Sequence, residues 1–218
     1  MASVEPGAPR RRRTQVERSA STQARLVEAT IACLIERGFP GTTTVAVCRR
    51  AGVSHGSLLH HFRTRERLLG AALDAVYERL RARVVNALEQ LPEGEARVDA
   101  WLDLMWEAFS APEFKAVLEL WLAAANTPGV SWEVWPAAQS FDAAHMPLAD
   151  RLFPEAAARV PDFHVYVSLV FQAMQGMGLA RATLPREEGG DAMRARVRAL
   201  LTRILREAFR DESAAEPA

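Results

Sequence analysis

The 218-residue sequence predicts an all-α fold: a small N-terminal three-helix domain followed by a larger C-terminal helical domain, about nine helices in all. Three observations predict it. Apolar residues recur with helical period from residue 21 to residue 210, and no segment shows the alternation of a strand. Gly, Pro and Ser/Thr punctuation cuts this pattern at helix-length intervals. Charge also divides the chain in two. The formal net charge is zero, yet residues 1–70 hold 12 Arg against 5 Asp and Glu, while residues 71–218 hold 15 basic against 22 acidic residues. A basic head on an acidic body suggests a polyanionic partner for the head alone.

The elements follow in order. Residues 1–20 are rich in Pro, Gly, Ser and Arg and are expected to be a disordered basic arm, in which Arg10 to Arg13 suit phosphates or a minor groove. From Ser21, Leu26, Val27, Thr30, Ile31, Leu34 and Ile35 mark a first helix ending at Gly38. Thr42 or Thr43 is an N-cap for a two-turn helix over about 44–50, with Gly52 just past its end where a left-handed residue is wanted. Ser54 caps a second short helix over 55–62. Thr64 caps a long one from Arg65 to Gln90, with Glu66 in its first turn to suit the helix dipole. Two short helices around a glycine turn, packed under a longer one, form the helix-turn-helix plan. This head is placed at residues 21–66, a helical body at 67–212 and a disordered tail at 213–218. Helices of the body are expected at about 95–110, 112–126, 137–153, 161–184 and 190–210.

Composition narrows the function classes. Apolar residues make up 49% and charged residues 25% of the chain, as in an ordinary folded protein. No apolar run reaches the roughly 18 residues of a membrane span, and MASVEPGAPRRRR has no apolar core of a secretion signal. A cytoplasmic protein with no membrane partner is expected. Cys33 and Cys48 fall on apolar helix faces and read as buried free thiols. No nucleophile–base pair, Gly-rich phosphate loop or metal motif appears, so neither an enzyme nor a cofactor is expected. Ser140 and His145 stand only at i, i+5. Histidines 55, 60 and 61 are spaced i, i+5 and i, i+6, which does not converge on a metal as i, i+4 does.

The stretch AGVSHGSLLHHF, residues 51–62, is too polar for a core helix. Around it stand, in order, Arg25-Leu26, Gly38-Phe39, Thr43-Thr44, Val47-Cys48, Ala51-Gly52-Val53-Ser54, Leu58, His61-Phe62 and Arg65-Glu66, with Leu68 or Leu69 behind. This ordered set over residues 21–70 resembles the head of TetR-family transcriptional regulators. The resemblance implies a dimer whose third helix enters the DNA major groove. The residues suit that role: the N-terminal end of a recognition helix reaches base edges, and here it holds His55, Gly56 and Ser57. Gly56 permits close backbone approach, and His55 and Ser57 can donate to or accept from base edges. Leu59, His60 and His61 are expected to face outward, with Leu58 and Phe62 turned to the core. By resemblance, His61 contacts phosphate and Arg65 is the basic phosphate anchor. Thr43 and Thr44, at a helix N-terminus, can hold a further phosphate. The family usually places Tyr where this sequence has Leu59, so a phosphate role does not carry over to Leu59, which is suited instead to a thymine methyl.

In the body, the resemblance implies a pocket for a small effector. All five tryptophans lie between residues 101 and 135. Trp101, Met105, Trp106, Trp121, Trp135, Phe141, His145, Phe171 and Met174 are the candidate lining. With Glu107, Glu119 or Glu133 nearby, such rings suit a lipophilic cation; a flat aromatic or acyl ligand fits as well. The helices 161–184 and 190–210 look like the family's homodimer pair. The first has a stripe of Phe163, Val167, Val170, Phe171 and Met174, with Gly176 and Gly178 allowing close approach; the second has Met193, Val197, Leu200, Leu201, Ile204 and Leu205. The expectation is a ligand-responsive repressor on a near-palindromic operator. The alternative is a DNA-binding protein regulated by a partner, with no small ligand.

Overall fold

The computed structural model describes residues 15–88, 90–184 and 190–210, and all their regular structure is helical. Among the described residues ten helices run α1 Gln15–Gly41, α2 Thr44–Ala51, α3 His55–His61, α4 Arg65–Leu88, α5 Ala96–Ser110, α6 Pro112–Asn126, α7 Pro128–Leu152, α8 Pro154–Arg159, α9 Phe163–Thr183 and α10 Gly190–Phe209. Helix α1 begins six residues inside the segment expected to be an arm; Arg10 to Arg13 and the tail 213–218 lie outside the described residues. At its other end α1 breaks at Gly38, whose φ of 67° and ψ of −179° interrupt the helix where the sequence places its end.

Local chemistry sets the short helices of the head. The Thr43 side chain accepts from the Ala46 N–H at the start of α2, and Ser54 accepts from the Ser57 N–H at the start of α3. Gly52 ends α2 at φ 64°, ψ 40°, and donates its N–H to the Cys48 carbonyl. That conformation opposes any residue with a Cβ.

Two apolar clusters meet on α1 and α4 with no linker between them. The head cluster joins Leu26, Ala29 and Cys33 of α1 to Ala46, Val47, Cys48, Ala51, Leu58, Phe62 and Leu68. The body cluster begins on the same two helices, at Ile31 and Leu34 and at Leu69, Ala72, Leu73 and Val76. Adjacent residues Leu68 and Leu69 therefore serve different cores. Both cysteines are buried free thiols, and burial pushes the Cys48 thiol above its ordinary range.

Three features of the body depart from expectation. Helix α7 starts at Pro128, about nine residues early, and continues through Pro136 and Pro147. Proline suits the first turn, where its missing N–H is no loss. The interior prolines are carried because Val130, Val134 and Ala138, spaced four apart, bury one continuous stripe. A separate short α8 follows, with Pro154 in its first turn.

The third departure concerns α9. Its expected dimer stripe (Phe163, Val167, Val170, Phe171 and Met174) is buried inside the subunit, where α9 packs on α5 and α6. Gly178 allows close approach there rather than between subunits: a Cβ would stand 2.5 Å from the Phe109 carbonyl oxygen. The opposite face, at i, i+4 and i+14, exposes Val165, Leu169 and Leu179 at 64%, 48% and 42%. A helix apolar on both sides has two surfaces to cover.

Gly178→Ala is therefore expected to cost about 1–3 kcal/mol through overpacking, read as a lower urea midpoint. An unchanged midpoint would show that α9 does not lie this close to α5.

Candidate nucleic-acid interface and ligand cavity

The head presents the start of α3 to solvent. His55, Gly56, Leu59 and His60 are exposed, Ser57 and His61 are half-buried, and Leu58 and Phe62 are sunk in the core. Nothing lies within 4 Å of a Cβ built on Gly56, so the backbone there is open to a closely approaching partner. The His60 and His61 rings meet edge to face at 5.3 Å, which fixes their directions relative to one another.

At the start of α2 the amides of Thr44 and Val45 have no acceptor among the described residues, as the first turn of a helix dictates. The Thr43 hydroxyl accepts from the Ala46 N–H at 3.1 Å and keeps its own proton to donate outward. These donors form an anion-seeking edge beside α3. The sequence reading missed two residues of this surface. Val45 is 72% exposed in the first turn of α2, and Arg63 is exposed in the turn after α3 with no acidic partner among the described residues. An arginine directly after the short polar helix α3 was the available signal for the second.

Arg65 has partners inside the head that the sequence did not predict. Its Nε donates to the Thr42 carbonyl at 2.9 Å and an Nη to the Phe39 carbonyl at 2.8 Å. Its guanidinium lies over the Phe39 ring at 4.3 Å. Two of its donating groups are thus committed inside the head, which makes it a brace for the α1–α2 turn before it is a phosphate anchor. From the body, the Glu119 carboxylate on α6 accepts from the Phe39 N–H at 2.8 Å.

The body holds a cavity of about 230 Å³ between α4, α5, α7 and α9. Five of the nine candidate residues line it: Trp101, Met105, Phe141, His145 and Phe171. The other four serve elsewhere. Trp121 donates its indole N–H to the Tyr77 hydroxyl at 2.9 Å and lines a separate groove of about 640 Å³ between α6, α7 and α9. Trp106 lies under the Arg181 and Arg194 guanidinium groups, at 5.9 and 5.0 Å. Trp135 is 42% exposed, and Met174 is packed in the core. Aromatic and Met spacing marks helix faces without saying which face meets a void.

The three glutamates suited to a lipophilic cation are also elsewhere. Glu119 holds Phe39, Glu133 pairs with Arg67 at 3.7 Å, and Glu107 borders an outer groove. His145 and Phe171 line both the cavity and the groove, stacked at 4.4 Å and 11°, so the pair forms the wall between them. The Nδ1 of His145 is buried with no hydrogen-bond partner.

Comparison with known proteins agrees with this architecture. Residues 26–72 match the family model described as "Bacterial regulatory proteins, tetR family". The HTH-type transcriptional regulator CymR of Pseudomonas putida is 35% identical over 120 residues, which are 55% of this chain and 59% of that protein, so the match spans less than two thirds of the relative. An uncharacterised HTH-type transcriptional regulator of Mycobacterium tuberculosis is 29% identical over 196 residues, 87% of this chain and 97% of its own. A transcriptional regulator from Saccharomonospora viridis, solved in complex with choline, shares the fold with a TM-score of 0.65 at 16% identity, over 85% of this chain and 96% of that one. With the helix-turn-helix head and the all-helical body, residues 26–72 are similar to the bacterial regulatory proteins of the tetR family, and the chain shares the fold of solved transcriptional regulators.

Proposed function

We propose that the protein is a cytoplasmic, dimeric, ligand-responsive repressor. Each subunit sets the start of α3 into a major groove of a near-palindromic operator, and a small effector in the body cavity releases the DNA. One observation carries the reading: α4 serves both ends. Its Leu68 packs in the head core beneath α3, and its Leu80, Val84 and Val85 line the cavity. A ligand that displaces these side chains acts on the helix that seats the head.

His55, Gly56 and Ser57 are the base-reading group, and Thr43, Thr44, His60, His61 and Arg63 hold the phosphate backbone. The dimer forms through the outer faces of α9 and α10. Val165, Leu169 and Leu179 on α9 and Met193 and Leu200 on α10 are 42–64% exposed in the single subunit. Such apolar surface is rarely left to water. Two heads so joined meet successive major grooves about 34 Å apart. Release is a population shift: the effector must favour the released form by about 5.5 kcal/mol to carry the protein from almost fully bound to almost fully free. A neighbour of the same fold solved in complex with choline supports a small-molecule site in the body.

Footprinting and binding assays on the DNA upstream of the gene test the reading. Ser57→Ala and His55→Ala are expected to relax preference at one or two base pairs by about 1–3 kcal/mol. Arg63→Ala should weaken binding to all sequences and lower the salt slope by about one. Arg65→Ala should lower the melting temperature of the protein more than the salt slope, because its donors hold carbonyls. A uniform loss from all four would refute the assignment. For the dimer, Leu169→Glu should give monomers in sedimentation and abolish operator binding with the fold intact; a dimer unaffected by it would place the interface elsewhere.

A further inference from the structure

We propose that the effector of this cavity is a small hydrophobic monocarboxylic acid of about ten non-hydrogen atoms. The apolar part lies among Trp101, Phe109, Phe141 and Phe171, and the carboxylate sits at the Arg81 and Arg151 edge. The proposal rests on the ligand-responsive reading above and adds to it the chemistry of the ligand.

Size comes first. An apolar cavity of about 150 Å³ holds benzene, with six non-hydrogen atoms. The cavity here, about 230 Å³, scales to nine or ten. Its walls are almost wholly aromatic and aliphatic, so most of the ligand must be apolar: a buried polar group with no partner costs about 1–3 kcal/mol.

Charge decides the remainder. Among the described lining residues the charged ones are both cationic, Arg81 and Arg151, and both are exposed at the edge of the cavity. Arg81 reaches Glu78 at 3.3 Å along the surface of α4, a pair weak enough to yield to a second anion. Arg151 has no acidic partner among the described residues, and the glutamates near the aromatic cluster are held by Phe39 and Arg67. A cation would therefore meet two like charges and, among the described lining residues, no carboxylate, whereas an acid meets two guanidinium groups without leaving water entirely. His145 lines the same space with its buried Nδ1 unsatisfied. In the tautomer protonated at Nδ1 it donates to an acid oxygen; the neighbouring Phe171 fixes its plane.

The test is titration calorimetry on the intact protein with octanoate and 4-methylbenzoate, their amides, and octylamine, alongside an operator-release assay. At least one acid is expected to bind about tenfold more tightly than its amide, the amount two partly exposed ion pairs supply, with octylamine weaker still. In the Arg81→Gln/Arg151→Gln double variant, changed only at exposed positions, that preference should vanish while amide binding persists. Amides or the amine binding as well as the acids, an acid preference surviving in the double variant, or no compound binding to protein that still holds DNA would overturn the assignment. An acid that binds without releasing DNA would leave the ligand class standing and refute release by this cavity.

Discussion

The hold on Phe39 is the constraint on which the rest depends. Its carbonyl accepts from Arg65 of α4, its ring lies beneath the same guanidinium, and its N–H is given to Glu119 of α6. Immediately before it, Gly38 takes φ 67°, and a Cβ there would stand 2.9 Å from the Glu119 carboxylate. Only glycine relieves both the backbone strain and the contact. Hydrogen bonds to charged groups contribute about 1.5–3 kcal/mol each and a cation–π contact about 0.5–2 kcal/mol. These are large beside the few kcal/mol by which a domain is stable. The head is thereby held to the body at one backbone turn by two different body-facing helices.

That geometry gives the cavity a route to the head. Tyr77 of α4 stacks on Phe141 of α7 at 4.3 Å and 12°, and its hydroxyl accepts from Trp121 of α6. Phe141 lines the cavity; Trp121 lies two residues beyond Glu119 on the same helix. A ligand that moves Phe141 therefore acts on α4 and α6 together, the two helices that hold Phe39. On the other side, the stacked His145–Phe171 wall separates the cavity from the groove beneath the exposed face of α9. The cavity and the groove beside the proposed dimer face thus share a wall of two stacked side chains, in an interior too close-packed to absorb a shift locally.

Much of the head was legible because its signals are local. Thr43 and Ser54 as caps, Gly52 in its left-handed turn, and Leu58 and Phe62 turned inward follow from rules that act within four residues. Burial of Cys33 and Cys48 followed from the apolar faces on which they lie. What was not legible is long-range. Arg65 carries the motif's charge, but its partners lie 23 and 26 residues away, and no local rule announces Phe39. Glu119 is a further 80 residues along and read instead as an acid suited to a lipophilic cation beside the tryptophans. The stripe on α9 was visible as apolar, yet the sequence could not say which of two apolar faces meets the subunit's own α5. Trp106, Trp121, Trp135 and Met174 share composition with the true cavity residues and differ only in direction. Pro136 read as a boundary because its local effect is to break a helix; the buried stripe of α7 overrides it.

Whether the Phe39 hold fixes the heads relative to the body is read most directly from the distance between them. Spin labels at a Leu59→Cys position on α3 of each subunit report the head-to-head distance in the dimer. A narrow distribution compatible with the roughly 34 Å groove spacing is expected, broadened by Glu119→Ala with the dimer and the helical content unchanged. An equally narrow, unshifted distribution in Glu119→Ala would contradict it.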